Sequence, residues 1–284
     1  MRLLARLSKK SNEGGEIISV LRSKRRISPK EYERSFSVLY EYTTQRTAKL
    51  PLRQKKWIGE SIDSVINGAF EDILSISNVY VKNEQRPESV RFFAGRAITK
   101  LVSLRKPLLV MWNVQKFETR RMVYWVKLIS NEIDLLRGLP EMQEEAFDEI
   151  DLPIIDWDYV NGAEFVKNLC ELHRILHGKV IHVPNAYDSS VSRLIIDLID
   201  DALFSVVMAN RRIPKTRQEA EERRKYLSKA VSDLTNLNIP LTSLFNIMHY
   251  SEAVQKDIAD RLYTEILLLK GLLKSDHGRF KDLA

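Results

Sequence analysis

An internal repeat is the feature that most constrains the fold of this chain. When the sequence is aligned with itself at an offset of 133 residues, positions 31–140 match positions 164–273 without a gap, and 22 of these 110 pairs are identical. We call these segments the first and the second repeat. The identities fall mostly on apolar and turn positions, and mismatches such as Trp112 with Phe245 keep the residue type. The pattern predicts one helical unit that occurs twice in tandem.

A proline recurs at the same place in both repeats. The segment LRKPLLVMWN (104–113) corresponds to LNIPLTSLFN (237–246), with Pro107 opposite Pro240. Each proline lies within a helical pattern of apolar residues, although proline lacks a backbone donor and crowds the preceding turn. The sequence therefore predicts a kink at the same point in the third helix of each unit.

Each repeat has the pattern of four amphipathic helices. In the first repeat, Pro29, Pro51 and Pro87 each lie where a helix can start, and Gly138 lies where the fourth helix can end. Four antiparallel helices with short connections form an up-and-down bundle. We therefore predict an all-α fold of two tandem antiparallel up-and-down four-helix bundles.

Charge divides the chain into unlike segments. Residues 1–56 contain fifteen Lys and Arg against five acidic residues, whereas residues 141–164 contain nine acidic residues and no basic one. The acidic segment is either a solvated spacer or a strap that lies against a basic surface of the same protein. The predicted domains are a basic N-terminal arm (1–28), a first bundle (29–140), an acidic linker (141–163), a second bundle (164–276) and a tail (277–284).

Several packing motifs of this unit resemble those of a known family. They are a Leu-Pro or Val-Pro junction before the second helix, SISN or VMAN near its end, an AxxxLxxL core in the third helix, and EIxLLxGL in the last. These motifs are similar to the four-helix-bundle family that contains the 23S ribosomal RNA intervening-sequence proteins and the accessory variability determinant (Avd) proteins of diversity-generating retroelements. The resemblance covers 31–140 and 164–276, and the second unit, with ANRRIPKTRQEAEERRKYLSKAVSDLTNL (209–237) between its second and third helices, looks closer to the Avd branch, in which this region is strongly basic.

The resemblance implies a function without catalysis. A protein of the Avd branch is expected to form a ring of bundles, to bind the reverse transcriptase of the retroelement and its template RNA, and to support mutagenic complementary DNA synthesis. The family usually has one unit, whereas this chain has two and adds a basic arm. We therefore expect a homo-oligomer, but the family's ring of single units cannot be assumed for a chain that has two units.

Nothing in the sequence indicates an active site. There is no glycine-rich phosphate loop, no GxSxG motif and no pair of acidic residues that differs from ordinary helix surface. We expect no enzymatic activity and no cofactor. The alternative hypothesis is a structural or oligomerisation scaffold that binds protein partners without nucleic acid.

Clusters of Lys and Arg predict a nucleic-acid interface. The net charge is +7 and the pI is near 9.3, and neighbouring cations bind phosphates with high salt sensitivity and little sequence preference. Such residues can also be solvated surface, or can pair with acids on the same helix, as Glu221 and Glu222 permit. The predicted RNA-binding residues are Arg22, Lys24, Arg25, Arg26, Arg53, Lys55, Lys56, Arg105, Lys106, Arg120, Arg121, Arg211, Arg212, Lys215, Arg217, Arg223, Arg224 and Lys225.

One helix face carries residue types that bind metals. In CELHRILH, Cys170, His173 and His177 share a face, and His182 is a further candidate; thiolates and imidazoles are zinc ligands. The first repeat has other residues at the first three positions, namely Ser37, Tyr40 and Thr44. Because the same face exists there without ligands, we interpret CELHRILH as structural and expect no metal.

The sequence shows no pattern for export or membrane insertion. Apolar runs such as ILLLKGLL are shorter than the roughly 20 residues that span a bilayer, and MRLLARLSKK lacks a secretory apolar core and cleavage site. Cys170 is the single cysteine, which fits a reducing compartment. We expect a cytoplasmic protein.

Overall fold

The computed structural model describes residues 29–81, 87–115, 118–142, 163–211, 213–281 and 283. Throughout these residues the regular structure is helical, which confirms the all-α prediction. Within the same ranges, no helix is long and apolar enough to cross a membrane. The helices longer than five residues are α1 (Pro29–Thr47), α2 (Glu60–Val81), α3 (Pro87–Ser103), α4 (Arg105–Gln115), α5 (Thr119–Arg137), α6 (Glu164–Val180), α7 (Arg193–Ala209), α8 (Arg217–Asn236), α9 (Asn238–Met248) and α10 (Glu252–Arg279).

Some sequence-based predictions lie outside the described residues. They concern the N-terminal arm, most of the acidic linker, and five of the predicted RNA-binding residues, namely Arg22, Lys24, Arg25, Arg26 and Arg212.

Helix boundaries recur at the 133-residue period of the sequence. Pro51 and Pro184 have nearly the same backbone angles, with φ −54° and ψ 145° for the first and φ −56° and ψ 144° for the second. Each proline is followed by a short helical turn and then by a five-residue π-helical segment, at Lys55–Gly59 and at Asp188–Ser192. α2 and α7 then start at equivalent positions. The two repeats therefore share secondary structure, including an unusual π-helical segment, and not only scattered identities.

The third helix is interrupted at the same point in both repeats. α3 and α4 are separated by Leu104 alone, and α8 and α9 by Leu237 alone. In each repeat the interruption lies three residues before the proline, Pro107 or Pro240. The third helix is therefore interrupted in each repeat, and a change of direction at this point stays a prediction.

The missing proline N–H explains where the interruption falls. In a continuous helix, Pro107 would bond to the carbonyl of Ser103 and Pro240 to that of Asn236, but each ring crowds that carbonyl instead. The chain tightens just before these positions, since the N–H of Leu104 and that of Leu237 each donate to a carbonyl three residues back at 3.3 Å. A short-range bond of this kind is typical of a helix end.

The chain forms two compact units that alternate along the sequence. Unit 1 comprises 1–49, 62–104 and 124–152, and unit 2 comprises 50–61, 105–123 and 153–284. Unit 1 thus contains α1, α3 and most of α2 and α5, whereas unit 2 contains α4 together with α6 to α10. These limits differ from those predicted from the sequence, because 50–61 and 105–123 of the first repeat group with the second. The arrangement as two tandem four-helix bundles stays a prediction.

Many identical apolar residues of the two repeats are core residues. Seven identical apolar pairs along the first three helices of each repeat are at most 1% exposed in both copies, because these positions recur every three or four residues on one helix face. The pairs are Leu39 with Leu172, Ile62 with Ile195, Ile66 with Ile199, Ala69 with Ala202, Ala97 with Ala230, Leu101 with Leu234 and Leu104 with Leu237. The repeat has therefore been retained chiefly where side chains pack.

Each repeat also buries one glutamate in its last helix. Glu132 of α5 is 0% exposed and Glu265 of α10 is 1% exposed, and these positions are equivalent in the repeats. No carboxyl oxygen of either residue has a hydrogen-bond partner among the described residues. Burial raises the pKa of both carboxyls to about 8; the nearby Ser35 hydroxyl lowers the first slightly and Glu164 raises the second further. Both carboxyls are therefore mostly protonated at neutral pH in the folded protein.

We predict that the free energy of unfolding decreases as pH rises from about 4.5 to about 8. The unfolded carboxyls ionise near pH 4.3, whereas the folded ones keep their protons to about pH 8. The stability that depends on these protonated carboxyls is therefore complete below about pH 4.3 and is lost above about pH 8. At about 1.4 kcal/mol per pKa unit, each carboxyl contributes on the order of 5 kcal/mol at most. Glu132→Gln and Glu265→Gln should each flatten the pH dependence of the urea midpoint.

The exposed residue Glu252 at the start of α10 supplies a matched control. Glu252→Gln should leave the pH profile of the wild type unchanged. A wild-type midpoint that stays constant between about pH 5 and pH 9 would show that these buried carboxyls do not titrate as stated.

Candidate nucleic-acid interface and buried histidine cluster

Arg53 completes the end of a helix in unit 2. Its guanidinium donates hydrogen bonds to the carbonyl oxygen of Ile181, to that of Val183 at 2.7 Å and to the side-chain oxygen of Asn185 at 3.0 Å. These groups follow the last residue of α6, where carbonyls have no donor within the helix. Three of the donors of Arg53 are therefore used inside the protein.

Two predicted RNA-binding lysines form ion pairs within unit 2. Lys56 Nζ lies 2.5 Å from the carboxylate of Asp188, and Lys106 bonds to the carboxylate of Asp201. Lys229 also lies 2.8 Å from Asp201. Burial acts to raise the pKa of Asp201, but the hydrogen bonds and charges of Lys106 and Lys229 hold it below its usual range. The charges of Lys56 and Lys106 are thus offset locally, which weakens their attraction for a phosphate.

Arg223 forms a buried ion pair between α8 and α10. Its Nε lies 2.6 Å from the carboxylate of Asp276, which is fully buried, and the same guanidinium donates to the carbonyl of Ala209 at the end of α7. A cation held by a buried acid and a helix-end carbonyl has a structural role.

Further predicted cations have neighbours of their own. Arg121 pairs with Glu118 at 3.0 Å and Arg217 with Glu221 at 3.1 Å, each within one helical turn. The remaining residues with contacts are Arg224, which bonds to His277, and Arg105 and Arg211, which also interact with other groups.

Four of the predicted cations have no acidic partner among the described residues. Lys55 is half-buried, and Arg120, Lys215 and Lys225 are exposed. They are spread along the sequence instead of forming one cluster. RNA binding by these four residues stays a prediction. Among the described residues, fewer of the predicted cations are unpaired than the sequence suggests.

A second candidate site lies between α6 and α7 of unit 2. Nε2 of His173 and Nε2 of His177 lie 2.9 and 2.8 Å from the same oxygen, Oδ1 of Asp200. The three side chains are buried, and their potential ligand atoms all lie within 4.8 Å of one another. The two histidines are four residues apart on α6, which places both imidazoles on one helix face. We call these residues the histidine cluster.

Asn113 of α4 determines the tautomer of His173. Its side-chain nitrogen donates to the carbonyl oxygen of Cys170 at 2.9 Å and lies 3.0 Å from Nδ1 of His173. Because a carbonyl oxygen only accepts, the amide NH₂ must face both groups, and Nδ1 of His173 is then the acceptor. The proton of His173 therefore resides on Nε2 and is donated to Asp200. A neutral imidazole agrees with burial, which lowers the pKa of His173 to about 4.

Asp200 is a buried anion. Burial acts to raise its pKa, but the charge of His177 and the hydrogen bonds from both histidines hold the pKa well below its usual range. Within the described residues, no lysine or arginine nitrogen lies within 4 Å of this carboxylate. In addition, Nδ1 of His177 is buried and has no hydrogen-bond partner. The cluster thus combines a buried negative charge with an imidazole, that of His177, whose tautomer is not determined by any contact at Nδ1.

The first repeat has an uncharged version of the same contact. The hydroxyl of Tyr40 donates to the side-chain oxygen of Asn67 at 3.0 Å, and these positions correspond to His173 and Asp200. Thr44, opposite His177, bonds to the backbone of its own helix. All three positions therefore carry metal-ligand types only in the second repeat.

Sequence reasoning found part of this cluster and missed the rest. It grouped His173 and His177 with Cys170 and His182, whereas the structure groups them with Asp200, 27 residues from His173 and on another helix. Cys170 is buried outside the group, and His182 is exposed. Comparison of the repeats could have pointed to Asp200, since Asn67 stands opposite it.

In comparisons with protein-family models, curated proteins and solved structures, this chain has no match. The resemblance to the Avd family therefore stays an expectation that rests on the sequence motifs alone.

We predict that Arg223 contributes to stability in a way that exposed cations do not. Arg223→Ala leaves Asp276 buried without its cation and should lower the free energy of unfolding by roughly 3–5 kcal/mol. Lys225→Ala, at an exposed position two residues further on, should change it by less than about 0.5 kcal/mol. Urea unfolding followed by circular dichroism measures both. Equal effects of the two variants would contradict a structural role for Arg223.

Proposed function

We propose that this chain is a non-catalytic, cytoplasmic RNA-binding accessory protein. It binds the template RNA and the reverse transcriptase of a diversity-generating retroelement and supports mutagenic complementary DNA synthesis. The observation that carries the RNA-binding part is the distribution of cations. The helical units pair many of their Lys and Arg internally, while the arm at 1–28 has eight Lys and Arg against two Glu.

The arm accounts for most of the net charge. Its balance is +6, of a total of +7 for the whole chain. Cations without a nearby acid are the ones that can neutralise phosphates and release counterions. We therefore assign the main RNA contact to Arg22, Lys24, Arg25 and Arg26, with Lys55, Arg120, Lys215 and Lys225 as additional contacts.

The helical units would present the arm and contact protein partners. On α10, Tyr263 is 64% exposed and Leu267, one turn further on, is 49% exposed. Adjacent exposed apolar side chains are common at protein–protein contacts. This observation supports a protein partner or a homo-oligomer, and it is also the observation that favours the alternative function, a scaffold that binds no nucleic acid.

RNA binding by the full-length chain distinguishes these functions. We expect single-stranded RNA to bind with an affinity that falls steeply with salt, as measured by fluorescence anisotropy. Replacing Arg22, Lys24, Arg25 and Arg26 together with Ala should weaken binding and reduce the slope of log K against log salt. At about 0.7 per phosphate contact on a single strand, the slope should decrease by up to roughly 3.

A variant with the same loss of charge on the helices is the control. Lys127, Lys167, Lys256 and Lys270 are exposed and have no acidic partner among the described residues. Replacing these four with Ala should retain most of the affinity. Similar losses in both variants would show that bulk charge and not the arm binds RNA, and absence of binding by the wild type at low salt would leave the scaffold as the better function.

The retroelement part of the proposal has a separate test. A gene for a reverse transcriptase and a template repeat next to the gene for this chain would support it. Co-purification of that polymerase with the wild-type chain is the expected biochemical result, and a neighbourhood without a reverse transcriptase would contradict it.

A further inference from the structure

We propose that His173, His177 and Asp200 bind one divalent transition-metal ion of the zinc class inside unit 2. The site is independent of the RNA-binding function proposed above. From the sequence alone, CELHRILH is interpreted as a structural segment without a metal. The proposed site differs from that segment, because its third ligand, Asp200, comes from another helix.

The donor set fits such an ion. Imidazole nitrogen and carboxylate oxygen are common zinc ligands, at about 2.0–2.2 Å from the metal. The three donor atoms converge in the structure, with both Nε2 atoms within 2.9 Å of Oδ1 of Asp200. A metal ion would replace two N–H···O contacts by three metal–ligand bonds, with small rotations of side chains that are already on the correct helix faces. Three protein ligands leave a further coordination position open.

Electrostatics favours a cation at this position. A buried carboxylate that has no lysine or arginine partner carries a large desolvation penalty. Lys106 and Lys229 both pair with the neighbouring residue Asp201, and Nε of Arg174 donates to the carbonyl of Cys170. The two imidazoles donate hydrogen bonds to Asp200, and a divalent ion held by the same three side chains would place a positive charge beside the carboxylate.

Comparison of the repeats separates the ligands from the packing around them. The surrounding core is retained, as Leu39 with Leu172 and Ile66 with Ile199 show. The three positions of the cluster all differ, because the first repeat has Tyr40, Thr44 and Asn67. The Tyr40–Asn67 hydrogen bond shows that this contact between helices needs neither a histidine nor a carboxylate. The three positions also differ in burial, since His173, His177 and Asp200 are buried, whereas Tyr40 and Thr44 are half-buried and Asn67 is exposed.

Binding of an ion requires the protons of the cluster to move. Each histidine must present a lone pair at Nε2, so its proton moves to Nδ1. Nδ1 of His177 has no partner that opposes this change. At His173, Nδ1 accepts from the amide of Asn113, so the Asn113 side chain must move away from Nδ1 when the ion binds. The carbonyl of Cys170 then keeps Arg174 Nε as a donor, at 3.1 Å.

Metal titration of the full-length chain tests the site. The purified protein is treated with a chelator, dialysed and titrated with Zn²⁺ against a chromophoric competitor, and with Co²⁺ for its visible absorption. We expect one ion per chain, a Co²⁺ spectrum typical of nitrogen and oxygen ligands, and a melting temperature that rises with Zn²⁺ concentration.

The chain itself supplies matched variants. His173→Tyr, His177→Thr and Asp200→Asn together introduce the residues of the first repeat, where Tyr40 and Asn67 form a hydrogen bond between the equivalent helices. The triple variant should fold, as judged by circular dichroism, and should lose the bound ion. His182→Ala removes an exposed histidine outside the cluster and should bind Zn²⁺ as the wild type does.

Three results would overturn the proposal. They are a wild-type chain that binds no stoichiometric Zn²⁺, a triple variant that binds as tightly as the wild type, and loss of binding in His182→Ala. If the triple variant does not fold, the single variant His177→Thr takes its place, since it removes one ligand and retains Asp200 and His173. Unchanged Zn²⁺ affinity in that variant would equally contradict the site.

Discussion

The backbone donor that proline lacks is the constraint on which much of this structure depends. Pro107 cannot continue the hydrogen-bond ladder of the third helix, so α3 ends at Ser103 and α4 begins at Arg105. The limit between the two compact units falls at this break. α4 is thereby part of unit 2, where it brings Lys106 to Asp201 and Asn113 to His173. In the second repeat, the equivalent break at Pro240 separates α8 from α9 within unit 2.

Agreement and difference between the two repeats fall on different residues. Positions that pack in the core of each unit are often identical at the 133-residue offset, because a change of volume in a close-packed interior is costly. Even an unfavourable feature is repeated, as the buried carboxyls of Glu132 and Glu265 show. In contrast, the polar contact between the first two helices of a repeat has changed from Tyr40 with Asn67 to His173 and His177 with Asp200. The polar contacts that distinguish the two repeats are therefore found at positions where their sequences differ.

Charge on this protein divides into two groups with different roles. Arg53, Lys106 and Arg223 complete helix ends or pair with acids inside unit 2, so their loss would affect folding before it affected any partner. The arm has almost the entire net charge of the chain and few acids. This division explains why a cluster of cations in a sequence does not by itself mark a binding surface, since the acid that offsets each one can come from a distant segment.

The sequence by itself determined the features that depend on local spacing. Helical periodicity, the 133-residue repeat and the proline breaks could all be read from it, because a helix face and a missing N–H are properties of neighbouring residues. Only the tertiary structure decided which distant side chains meet. Asp200 contacts His173 from a position 27 residues further along the sequence. Asp276 contacts Arg223 from a position 53 residues further along. The grouping of 105–123 with the second repeat was likewise decided by packing, because apolar periodicity shows that a helix buries a face but not which helix covers it.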